Sequence, residues 1–151
     1  MQTFKGMVSQ TATQTMQKGK QILHLVLRKK PLTEEVLEEL EKEVSDRMIK
    51  FINRIMPKLE NTKFENPEQA IKVILLKGLI KILKKLVAEY QKELSPEDQE
   101  FVNQIFANEE NNIQLEESKI SIDKHKTSIE EDINEDMPNK NKEKKDQCGI
   151  Q

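Results

Sequence analysis

One cysteine, one tyrosine, two histidines and no tryptophan leave little material for several kinds of chemistry. With Cys148 alone the chain forms no intrachain disulfide and no cysteine zinc site, which suits a reducing compartment. His24 and His125 have no recognisable catalytic partners, and His24, beside apolar neighbours, is expected to be packed or partly buried. There is no phosphate-binding glycine loop, no H-E-x-x-H and no nucleophile elbow. An enzyme is therefore not expected, nor is a cofactor or a bound metal. Long apolar runs are missing too: the longest, residues 73–87, is broken by Lys77, Lys81, Lys84 and Lys85, so no membrane-spanning helix is read. The start, Met1-Gln2-Thr3-Phe4-Lys5, has no signal-peptide core, and Gln2 stands where myristoylation needs glycine.

What is present favours helices. Hydrophobic residues make up 35% of the 151 and are chiefly Leu, Ile, Val and Met, with only four glycines. The pattern predicts an all-α fold, a small bundle of about four helices over residues 1–108, followed by a disordered charged tail over 109–151. The first helix, roughly 4–28, has a clear apolar stripe only near its end (Ile22, Leu23, Val26, Leu27), because Ser, Thr and Gln crowd its early half. Pro31 closes it. The second starts at the N-cap Thr33, carries Val36, Leu40, Val44, Met48, Phe51 and Ile55 at steps of three and four, and is ended or kinked by Pro57. The third opens with Asn66 as N-cap, Pro67 at the first helical position and Gln69 completing a capping box. Its apolar residues, including Leu75, Leu79, Ile82, Leu83 and Leu86, cover so wide an arc that it is expected at the centre, packed on two sides. The fourth begins Ser95-Pro96, turns Phe101, Val102, Ile105 and Phe106 to one side, and is expected to end near Asn108. Ile113, Ile120, Ile122 and Ile129 are too sparse to predict more than a transient or partner-induced helix.

Charge is distributed unevenly around a net of -2. Residues 1–30 hold no Asp or Glu but carry Lys18, Lys20, Arg28, Lys29 and Lys30, whereas residues 109–136 are strongly acidic. A basic segment of this kind attracts anionic lipid head groups. Lys77, Lys81, Lys84 and Lys85 form a second cationic face on the third helix, suited to phosphate groups or simply to solvent. Nucleic acid is not expected as a partner. The sharpest motif is Cys148-Gly149-Ile150-Gln151, which fits a C-a-a-X prenylation box whose final Gln favours farnesyl. One prenyl chain is a marginal anchor, and Lys140, Lys142, Lys144 and Lys145 just upstream are candidates for the second signal.

Parts of the chain resemble the tumour necrosis factor alpha-induced protein 8-like family. Thr33-Glu34-Glu35-Val36-Leu37-Glu38-Glu39-Leu40 is similar to its S-S-E-V-L-D-E-L stretch and comes after a Lys-rich helix containing Lys18, Lys20, Ile22 and Leu23. Leu79-Ile80-Lys81, then Lys85-Leu86, Tyr90 and Asp98, are similar to its L-I-K-x-x-x-K-L segment and the residues after it. The resemblance covers residues 15–106, and the family's carboxyl-terminal helices have no counterpart. It implies a helical bundle with a lipid-accommodating cavity and phosphoinositide contact through Lys18 and Lys20. Two functions are thus expected. The first is a prenyl-anchored binding module at the cytoplasmic membrane surface, engaging a protein partner and anionic lipids. The alternative is a lipid-binding or lipid-transfer protein, in which Leu75, Leu79 and Leu86 line an internal void.

Overall fold

The computed structural model describes residues 3–29 and 33–119. It contains α1 (Phe4–Val26), a 3-10 turn (Leu27–Lys29), α2 (Glu34–Glu60), α3 (Pro67–Lys92) and α4 (Pro96–Glu117), with no strand among the described residues. Each helix starts on a side-chain cap that satisfies an otherwise orphaned N–H. Thr3 Oγ1 accepts from the Gly6 N–H at 2.9 Å, Thr33 Oγ1 from Val36 at 3.3 Å, Asn66 Oδ1 from Gln69 at 3.4 Å and Ser95 Oγ from Asp98 at 3.2 Å. Pro67 and Pro96 occupy first-turn positions, where no N–H is needed.

The helices alternate in direction, so α1 and α3 run parallel, with Gly19 beside Leu79 and the Tyr90 hydroxyl donating to the Leu27 carbonyl at 3.4 Å. As expected of its wide apolar arc, α3 packs on all three other helices, and Leu75, Leu79 and Leu83 are fully buried. Close approach depends on two glycines. A Cβ on Gly19 would lie 2.8 Å from Leu79 Cδ1, and one on Gly78 would lie 2.4 Å from Phe51 Cε2.

The structure explains one local expectation, narrows a second and overturns a third. The Ser/Thr/Gln-rich start of α1 is fully helical because Val8, Thr11, Ala12, Thr15 and Gly19 form a buried stripe of mostly small side chains against the core. The two buried threonine hydroxyls donate back to carbonyls four residues earlier, Thr11 to Met7 at 2.9 Å and Thr15 to Thr11 at 2.8 Å, so neither is stranded. Pro57 does not end α2, which continues to Glu60. Pro57 and Asn53 both face solvent, where water can satisfy the carbonyl that proline leaves without its helical donor, while Leu59 anchors the last turn in the core. Finally, α4 does not stop near Asn108. Ile113, seven residues after Phe106, returns to the same face and is 6% exposed, which carries the helix to Glu117.

Candidate functional site

The extension of α4 decides the fate of the lysine face of α3. Glu110 and Glu117 lie seven residues apart on α4, as Lys77 and Lys84 do on α3, and the antiparallel helices bring them together pairwise. Lys77 Nζ donates to Glu117 Oε2 at 2.8 Å, and Lys84 Nζ to Glu110 Oε1 at 3.4 Å. On the other flank of α4, Glu109 reaches Lys18 of α1 at 3.6 Å. Glu116 accepts from the Gln69 side-chain amide at 2.6 Å. That bond also corrects the expected capping box, since the Gln69 side chain turns to α4. Ile113 therefore sits in a seam railed by acids on both sides, each rail meeting a donor on another helix. The Lys77–Glu117 side chains are only 21% and 15% exposed, so this pair is shielded from solvent, whereas the outer pairs are open and worth little.

Of the expected head-group contacts, Lys18, Lys77 and Lys84 are thus engaged by carboxylates. Lys20, Arg28, Lys81 and Lys85 have no ion pair among the described residues, and Lys20 and Arg28 are exposed. The side chain of Lys29, and Lys30, Lys140, Lys142, Lys144, Lys145 and Cys148 entirely, lie outside the described residues. His24 is not packed. It stands on the outer side of α1, its side chain 56% exposed, with Nε2 3.2 Å from Glu41 Oε2.

A second feature was not foreseen from the sequence, a groove of about 620 Å³ between the amino-terminal half of α1 and the carboxyl-terminal half of α2. Near Gly19 and Val44 the two helices are close. Towards the other end Ser9, Ala12 and Thr13 of α1 are too short to span the gap. Val8, Ala12 and Ile52 form the floor, Met16, Ile49 and Met56 the walls, and Lys5 and Glu60 together mark one end. Ile49 is 51% exposed, an apolar side chain facing open space. The signal lay in the mismatch between short residues on α1 and branched or thioether ones on α2, which appears only once the helices are paired.

Among the described residues no group of three or more His, Cys, Asp or Glu side chains is placed to hold a metal, and no helix is long and apolar enough to cross a membrane. Fold and surface together define an all-α bundle with a charged seam on one side and an apolar groove on another. Comparison with family models, curated proteins and solved structures finds no match, so the resemblance to the tumour necrosis factor alpha-induced protein 8-like family stands on its quoted residues alone.

Proposed function

We propose that the protein is a non-catalytic binding module that takes an amphipathic helix of a membrane-localised protein into the α1–α2 groove, held at the cytoplasmic membrane surface by a prenyl group on Cys148. The observation that carries this reading is the groove. Its floor is apolar, and Met16 and Met56 supply flexible, polarisable walls of the kind that mould to a helical ligand. The anchor rests on Cys148-Gly149-Ile150-Gln151 and applies where Gln151 is the last residue of the cellular chain. Anionic head groups would meet Lys20 and Arg28, two exposed cations of α1 and its adjoining turn that no described carboxylate engages. No observation favours the lipid-sequestering alternative. Leu79 lies against Gly19, and the α1–α2 groove is lined by residues other than Leu75, Leu79 and Leu86.

The test compares three full-length chains in eukaryotic cells: the parent, Cys148→Ser, and Ile49→Asp with Met56→Asp. Intact mass should show farnesyl on the first and third only, and Cys148→Ser should leave the membrane fraction. After detergent solubilisation the parent should sediment well above its own 17.7 kDa and the groove variant near it. Equal sedimentation of parent and groove variant would remove the groove from the reading. An unmodified parent would remove the anchor.

A further inference from the structure

One wall of the groove, α1, carries no acid, and the groove opens at the end of the bundle where the described chain stops. Residues 1–30 contain no Asp or Glu, Lys5 lines the groove and Lys20 stands one turn beyond Met16. Glu116, in the last turn of α4, is hydrogen-bonded to Gln69 in the first turn of α3, and the short connection 61–66 joins that turn of α3 to the end of α2. Lys119 therefore lies at the same end of the bundle as the mouth formed by Lys5, Met56 and Glu60.

Thirty-two further residues, 120–151, continue from that point. Within them, 127–137 combines three features in one stretch. Ile129, Ile133 and Met137 recur at intervals of four, within an arc of about 80° on a helix. Thr127 with Glu130 three residues on matches the capping-box pattern, and Pro138 is a stop signal in sequence. The remaining face carries Glu130, Glu131, Asp132, Glu135 and Asp136 with no Lys or Arg.

We infer that residues 127–137 of this same chain dock as a helix in the α1–α2 groove, Ile129, Ile133 and Met137 on its apolar floor, and so compete with the partner for the site. The inference rests on the reading of the groove as a helix-binding site and adds its regulation. Dimensions agree. From Lys5 to Met16 the groove wall is about 16 Å long, and eleven residues of helix rise about 15 Å between their ends. The eight peptide steps from Lys119 to Thr127 reach about 26 Å. Two helix spacings, the distance from α4 round to the groove, amount to about 20 Å. Charge agrees along one wall: Glu130, Asp132 and Asp136 flank the apolar arc, and the α1 wall has lysines and no acid of its own, the acid in the lining being Glu60 of α2 at the mouth. A tethered segment also holds a millimolar effective concentration, so even weak docking fills the groove until a partner displaces it.

Thiol labelling on the full chain tests this. Cys148→Ser removes the native thiol, Ser9→Cys places a single one in the groove, and Gln104→Cys places one on the exposed side of α4 as a control. Each is compared with and without Ile129→Asp and Ile133→Asp, both outside the described residues. If the segment is docked nine-tenths of the time, the double aspartate speeds labelling at position 9 about tenfold and leaves position 104 unchanged. Equal rates at position 9 overturn the inference, as does an acceleration that depends on protein concentration, which would assign the groove to a second copy. Neither result bears on the sedimentation test, which concerns the partner, so the two readings fail separately.

Discussion

Gly78→Ala sets helix propensity directly against packing. In an exposed helix interior this change stabilises by about 1 kcal/mol, because alanine loses less backbone freedom than glycine. Here the new methyl would stand 2.4 Å from Phe51 Cε2 and 2.9 Å from Cδ2 and Cζ. Restoring contact at about 3.5 Å requires the ring to retreat by about 1 Å. Phe51 is fully buried, and the Arg54 guanidinium lies 5.9 Å from its ring centroid, so retreat means moving other core atoms. Overpacking of that sort costs about 1–3 kcal/mol, and the severity of the approach places it in the upper half. Net destabilisation of about 1–2 kcal/mol results, a fall in midpoint of about 5–10 °C for a domain of this size. Circular dichroism melts of the parent, Gly78→Ala, Phe51→Leu and the double variant measure it. The smaller leucine should relieve the clash, giving a coupling of at least about 1 kcal/mol. A Gly78→Ala variant that melts at or above the parent refutes the close approach of α2 and α3.

The remaining predictions concern α4 and the cations. Ile113→Ala should destabilise by about 2 kcal/mol in urea unfolding, since its side chain is buried; no change would mean that the last two turns of α4 do not pack. Glu117→Lys should cost about 1–2 kcal/mol through repulsion with the shielded Lys77, and Lys77→Glu in the same chain should restore most of it, whereas Glu110→Lys at the open pair should shift stability by less than about 0.5 kcal/mol. Equal losses at 110 and 117 would contradict the difference in burial. Lys20→Glu should weaken binding to anionic vesicles at low salt by about fivefold or more, near 1 kcal/mol for the lost attraction. Lys18→Glu should do less, because Glu109 already engages that lysine. The reverse order would place the membrane on the α4 side of α1.

The legible parts of the fold were those written within one helix. Thr33, Asn66 and Ser95 announce their caps because a short side-chain oxygen three residues before the accepted N–H is a local pattern. The central place of α3 comes from its own arc. What escaped was written between helices. The early half of α1 shows no clear apolar stripe, yet its buried threonines and Gly19 form the face that packs on the core. Residues 109–117 look like a solvated acidic stretch because their carboxylates find partners 26 to 91 positions away, at Lys84, Lys77 and Lys18. For the same reason the cations could be located in the sequence while their pairing could not. The groove is a gap between two partners and has no residue pattern of its own.

A photo-reactive residue placed at position 49 of the full-length chain, with a second placed at exposed Leu115 of α4 as comparison, asks directly what fills the groove in eukaryotic cells. Irradiation should yield adducts at position 49 to peptides with apolar residues spaced three or four apart, from residues 127–137 of the same chain and from a membrane-fraction partner, the partner's share rising when Ile129→Asp and Ile133→Asp empty the groove. Position 115 should yield neither. Adducts equally frequent at 49 and 115, or none at 49 in either chain, would contradict a helix-binding groove between α1 and α2.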